Sequence, residues 1–121
     1  MLDHLSLGVS DLAASRAFYE AVLAPLGFGV VMEREGTVAF GPTARPIFWL
    51  AERDPVSTGV HIAFPAVDRE HVHAFHDAAL GAGATDNGRP GLRPQYHPHY
   101  YGAFVLDPDG NNAEAVCHTP A

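Results

Sequence analysis

Laid on itself with an offset of 57 residues, the chain matches its own second half in order. His4 falls on His61, Leu5 on Ile62, Leu7 on Phe64 and Asp11 on Asp68. Farther on, Ala17 falls on Ala74, Phe18 on Phe75, Ala21 on Ala78 and Leu23 on Leu80. A repeat of this length means one supersecondary unit used twice, which limits the fold more than any local signal. Each unit opens with a short strand, His4 to Val9 and Gly59 to Phe64, rich in β-branched and aromatic residues. Asp11 and Asp68 then stand where a helix N-cap belongs. Apolar residues follow at helical spacing: Leu12, Phe18, Val22 and Leu23 in the first unit, Val72, Phe75, Ala79 and Leu80 in the second. Strand-like pieces around 28–33, 36–41 and 46–51, then 84–88, 101–106 and 112–118, complete the units. The pattern is β-α-β-β-β twice. It predicts one α+β domain over residues 1–121, with module one about 1–55 and module two about 57–121.

Successive strand residues point to opposite faces. In the first strand His4, Ser6 and Gly8 therefore oppose Leu5, Leu7 and Val9. At the repeat His61 and Ala63 oppose Val60, Ile62 and Phe64, and in the last strand Glu114, Val116 and His118 oppose Ala113, Ala115 and Cys117. The apolar faces belong under the helices, which makes Cys117 a buried thiol. The other faces gather His4, His61 and Glu114. Two imidazoles and a carboxylate suit iron, manganese, zinc or nickel, and three ligands leave positions for substrate. The bland alternative is two hydrogen-bonded strand histidines and a solvated glutamate.

Composition narrows the chemistry. All seven basic residues are arginine, so Schiff-base chemistry and a P-loop lysine are excluded. Eight histidines direct attention to imidazole. A net charge of −7 argues against nucleic acid and anionic membranes as partners. One cysteine, no long apolar run and no signal-like start give a cytoplasmic protein as the expectation.

Three stretches resemble the vicinal oxygen chelate superfamily, which includes glyoxalase I, extradiol dioxygenases and fosfomycin- and bleomycin-resistance proteins. They are His4-Leu-Ser-Leu-Gly-Val-Ser-Asp11-Leu with Ser15-Arg-Ala-Phe18-Tyr19, Gly59-Val-His61-Ile-Ala-Phe64, and Tyr101-Gly-Ala-Phe-Val-Leu-Asp107-Pro108-Asp109-Gly110-Asn111-Asn-Ala-Glu114. The resemblance covers nearly the whole chain. It implies two βαβββ modules forming a curved mixed sheet, a half-barrel with helices outside, around a divalent metal held by His4, His61 and Glu114. Glyoxalase I-like members add a glutamate or glutamine from the last strand of the first module. An offset of 65 puts Trp49 at that position, and tryptophan cannot ligate a metal; Glu52 lies beyond it in the wrong register. The remaining triad resembles extradiol dioxygenases and fosfomycin-resistance transferases. The implied function is a metal-dependent enzyme, of dioxygenase or glyoxalase-like lyase or isomerase type, acting on a small molecule with adjacent oxygens. The alternative is a metal-free sequestering protein of bleomycin-resistance type, which Trp49 and the acidic surface favour.

Other residues complete the expected site. Trp49 and Ser6 stand on the cavity face as substrate contacts, and Arg93 is a loop arginine able to pair with a carboxylate. In Gln95-Tyr-His97-Pro98-His99-Tyr100-Tyr101, His97 and His99 are candidate acids or bases and Tyr101 a pocket residue. His71, His73 and His76 read as a solvated helix face, and Asp107 to Asn111 as a structural turn. Open sheet edges predict a homodimer, and the resemblance implies a site in which His4 of one subunit meets His61 and Glu114 of the other.

Overall fold

The computed structural model describes residues 2–121. Module one runs β1 (Leu5–Val9), α1 (Leu12–Leu23), a 3₁₀ turn (Ala24–Leu26), β2 (Gly29–Arg34), β3 (Thr37–Gly41) and β4 (Phe48–Glu52). Module two runs β5 (His61–Pro65), α2 (Arg69–Gly81), β6 (Thr85–Leu92), β7 (Tyr101–Leu106) and β8 (Asn112–Cys117). The repeat is reproduced at the level of single hydrogen bonds. The Asp11 carboxylate accepts from the Ala14 N–H at 3.1 Å, and Asp68 accepts from His71 N–H at 2.9 Å. Each cap satisfies a helix donor that would otherwise lack a partner.

The strands form two four-stranded mixed sheets, ordered β1-β4-β3-β2 and β5-β8-β7-β6. In the first, parallel β1 and β4 set Ser6 opposite Trp49; in the second, parallel β5 and β8 set Ala63 opposite Glu114. The ladders thus give Trp49 the position that Glu114 holds in module two. Some boundaries differ from the sequence reading. The first strand of each module begins later, at Leu5 and His61, and β6 extends to Leu92 through two register shifts. Glycine makes that irregularity possible: Gly88 has φ +151°, and a Cβ there would lie 2.8 Å from the Phe104 ring.

Both modules bury their helix-side faces in one core. Tyr19, Val22 and Leu23 of α1 join Leu7, Phe40, Phe48 and Leu50, and the same cluster holds Phe64, Phe75, Val105 and Ala115 from module two. Phe64 is the joint, edge-on to Phe48 at 5.3 Å and to Phe28 at 5.8 Å between ring centroids. With the apolar faces turned inward, the faces bearing Ser6 and Trp49, and His61 and Glu114, turn away from the common core. Cys117 is buried, on the side parity assigns it. No helix among the described residues is long and apolar enough to cross a membrane.

Of the three histidines of α2, His71 and His73 keep exposed surface, and His76 is the one that leaves the solvated face. His71 Nδ1 lies 2.6 Å from the Asp68 carboxylate, and His73 Nε2 lies 2.6 Å from the Tyr101 hydroxyl. His76 is buried and lies 2.9 Å from the Asp86 carboxylate of β6. The packing of α2 against β6 overrides the polar-outside pattern at His76. Hydrogen bonds from His71 and from His76 hold the Asp68 and Asp86 carboxyls below their ordinary value of 3.8. A carboxyl lowered on folding stabilises the native state above its unfolded value, and that contribution fades as pH falls through the folded value. Thermal melts from about pH 5 to about pH 2.5 should show a falling Tm, and Asp86→Asn should shallow the slope. A slope unchanged by that substitution would remove Asp86 from the account.

Candidate functional site

The site starts from an alternation. His61 and Ala63 of β5 share a face with Glu114 of β8, and Gly102 and Phe104 of β7 continue the same face across the sheet. On it, His61 Nε2 lies 2.6 Å from Glu114 Oε1. The Glu114 side chain is 0% exposed, while that of His61 is 52% exposed. A buried carboxylate needs hydrogen-bonded or charged partners. Its second oxygen accepts a short hydrogen bond from the Tyr100 hydroxyl. Burial, and next the bond to Glu114, push the Tyr100 phenol well up from its ordinary value of 10.0, which keeps it a donor. Gly102 makes room for both groups: a Cβ there would stand 3.1 Å from Glu114 Oε2 and 3.3 Å from the Tyr100 ring.

The Tyr100 ring is held on several sides. Its centroid is 4.7 Å from that of Tyr96, 5.5 Å from His97 and 5.3 Å from His118. The histidines are joined, His97 Nε2 to His118 Nδ1 at 2.8 Å. The His99 N–H donates to His97 Nδ1 at 3.0 Å, so His97 must carry its proton on Nε2 and donate it to His118. His118, on the face parity assigned it, thus ties the 97–100 loop to the end of β8. Phe104 borders the site, its ring 6.0 Å from that of His61 and 5.2 Å from the Arg93 guanidinium.

The other expected residues fall elsewhere. His4 precedes β1, and its Nδ1 lies 2.8 Å from Asp3, whose other oxygen takes Arg45 at 2.8 Å. It lines a cavity of about 340 Å³ between the modules, with Leu5, Phe48, Ile62 and Phe64. Among the described residues of one chain, no three histidine, cysteine or acidic side chains are grouped to hold a metal. Ser6 and Trp49 are paired on the module-one sheet, apart from Glu114. Glu52 is already used, accepting from the Leu12 N–H at 2.7 Å at the start of α1.

Tyr101 is corrected. It faces α2, bonded to His73 and covered by the Arg69 guanidinium 4.8 Å from its ring centroid. Once the β7–β8 register sets Gly102 and Phe104 on the Glu114 face, Tyr100 continues that face and Tyr101 cannot. His99 is exposed and enters the site only through its backbone.

Solved structures share this architecture. A glyoxalase/bleomycin resistance protein from Albidiferax ferrireducens T118 is 30% identical, with 97% of this chain and 98% of that one covered and a TM-score of 0.86. A lactoylglutathione lyase from Agrobacterium tumefaciens is 21% identical, with coverage of 97% and 92% and a TM-score of 0.71. A mutant fosfomycin resistance protein from Listeria monocytogenes, complexed with manganese(II) and a dihydroxypropylphosphonic acid, is 20% identical, with coverage of 98% and 90% and a TM-score of 0.72. The last two show the fold alone. No curated protein matches the chain significantly. The family model of the glyoxalase/bleomycin resistance protein/dioxygenase superfamily matches residues 1–115, and the chain belongs to that superfamily.

Proposed function

We propose that this chain is one subunit of a homodimeric, divalent-metal-dependent enzyme acting on a small molecule with adjacent oxygens. His61 and Glu114 are the ligands of one subunit, and His4 of the partner subunit is the third. The observation that carries the reading is the buried Glu114 carboxylate set 2.6 Å from a half-exposed imidazole on an outward-turned sheet face. The donors fit an iron, manganese, zinc or nickel ion. At about 2.1 Å from each donor such an ion spans a pair about 3 Å apart, so the two groups need to part by only a few tenths of an ångström. His4 stands on the other module, and β1 and β5 each have only one ladder partner, so each leaves a free edge. A two-fold dimer that joins module one of each subunit to module two of the other completes two equivalent sites.

When bound, the ion polarises the substrate's oxygens or lowers the pKa of a bound water, which suits dioxygenase or glyoxalase-like lyase or isomerase chemistry. The chain's own residues shape the rest. Phe104 walls the site, Arg93 stacked on it supplies a cation for a substrate carboxylate, and Trp49 and Ser6 enter from the partner subunit as the opposite wall. His97, with Nδ1 accepting from the His99 N–H and Nε2 bonded to His118, braces the loop against the end of β8.

Metal content measured on untagged protein, purified anaerobically without chelator, tests the ion: close to one per chain is expected. A mixed-subunit experiment tests the sharing. His4→Ala and His61→Ala homodimers each lack a ligand at both sites, but their heterodimer retains one intact site. Refolding an equal mixture should restore about a quarter of the sites, since about half of randomly paired dimers are mixed. No restoration would place the site within one chain. No metal uptake at all would move the assignment to a metal-free sequestering protein.

A further inference from the structure

We propose that Tyr100 is a positioning residue that confines Glu114 to ligation through one oxygen, an inference that rests on the metal reading above. A carboxylate can bind a cation through one oxygen or both. In Glu114 the choice is already made: Oε1 faces His61, and Oε2 is taken by the Tyr100 hydroxyl. Glu114 has little room to rearrange, and the half-buried Tyr100 ring is braced by its neighbours. The Glu114 side chain is fully buried, and the space beside Oε2 and the Tyr100 ring is only what Gly102 leaves open. Tyr96, His97 and His118 flank the Tyr100 ring, and the His97–His118 hydrogen bond fastens that cluster to the end of β8. The histidine-rich loop, expected from sequence to supply acids and bases, thereby acts on the metal ligand through one phenol.

The consequence is a count of open positions. Were a six-coordinate ion such as manganese(II) bound, three single-atom donors would leave three positions and a two-oxygen glutamate would leave two. A substrate chelating through adjacent oxygens takes two. The third stays available to a water or a co-substrate only while Tyr100 holds Oε2. Partners of metal ligands generally orient the ligand and tune its basicity in this way.

The test uses the full-length protein with manganese(II) as the probe. Infrared difference spectra, loaded minus unloaded, read carboxylate ligation directly. The unaltered protein should show the wide separation of antisymmetric and symmetric carboxylate stretches that marks one-oxygen ligation. Tyr100→Phe, which keeps the ring and removes only the hydroxyl, should narrow that separation and weaken manganese binding by about 10-fold or more in a spin-resonance titration. His97→Ala, which loosens the clamp but keeps the hydroxyl, should move both readouts the same way by less, and it serves as the second variant should Tyr100→Phe lose its circular dichroism. Manganese bound to Tyr100→Phe with unchanged stretches and affinity would overturn the positioning role while the metal reading stands. Failure of the unaltered protein to take up manganese, iron, zinc or nickel would overturn the metal reading, and this inference with it.

Discussion

Glu114→Gln is expected to lower divalent-metal affinity by more than about 100-fold while the protein remains folded. Outer partners of metal ligands alone usually cost 10–100-fold, and here the charged ligand itself is lost. Glutamine is the informative change because it keeps the volume of a side chain that is 0% exposed and can still accept from Tyr100 and meet His61. Alanine would leave the phenol and the imidazole without a partner and open a cavity, mixing a folding defect into the readout. Activity should vanish with the metal, because among the described residues neither candidate replacement is a free carboxylate: Trp49 holds the equivalent position in module one, and Glu52 is committed to the Leu12 N–H. Manganese titration by spin resonance, with circular dichroism on the same sample, measures both halves of the expectation. Retained affinity in a folded Glu114→Gln protein would remove Glu114 from the ligand set. A ligand bound without metal, with affinity changed less than about 10-fold by the substitution, would favour the sequestering function.

The duplication made much of this legible. The same offset that aligned His4 with His61 aligned the two N-cap aspartates, and both caps are present. The second offset makes Trp49 the module-one counterpart of Glu114, and the β1–β4 and β5–β8 registers agree. Parity within a strand also put His61 and Glu114 on one face. What parity could not give was the entry of a strand from its loop. Tyr100 and Tyr101 are adjacent and identical in chemistry, and only the β7–β8 register, set by the turn between them, distinguishes the one that meets Glu114 from the one that meets His73. Nor could parity give the packing of one module on the other. His4 shares its strand side with Ser6, yet its distance from His61 depends on how two sheets meet, and that is decided by Phe28, Phe48 and Phe64 in the core. His76 departs from the solvated face of α2 for a related reason. An amphipathic pattern marks which residues are polar, but β6 brings Asp86 to His76 and thereby makes a buried polar contact favourable.

Asp107→Ala should be the most destabilising single change in the turn that sets this register. Asp107 is buried at the end of β7 and accepts four hydrogen bonds: from the Tyr19 hydroxyl at 2.7 Å, the N–H groups of Asp109 and Asn111 at 2.9 Å each, and Asn111 Nδ2 at 3.2 Å. The first links α1 of module one to module two. Tyr19 has no exposed surface, and burial, then the Asp107 charge, push its phenol far up, so it stays a donor in need of an acceptor. Asn111 passes the constraint on, giving a hydrogen bond to the Ser57 carbonyl at 2.9 Å and accepting one from Val60 N–H at 3.0 Å just before β5. Leaving several buried donors unpaired costs about 1–3 kcal/mol each, so a loss of about 3 kcal/mol or more is expected, which lowers Tm by roughly 10 °C or more. Tyr19→Phe removes one donor and keeps the aromatic packing, so it should cost only about 1–1.5 kcal/mol. Urea unfolding of the two variants beside the parent measures the difference, and an Asp107→Ala loss under about 1 kcal/mol would show the turn to be held by its backbone alone. The same experiment reaches the site. The turn pins Leu106 opposite Asn112, which fixes Phe104 opposite Glu114, and a shift of one residue would turn Glu114 to the other face. Asp107→Ala protein that is still folded should therefore bind manganese less tightly although no ligand has been touched, whereas the equally remote Tyr19→Phe, which spares the turn, should not.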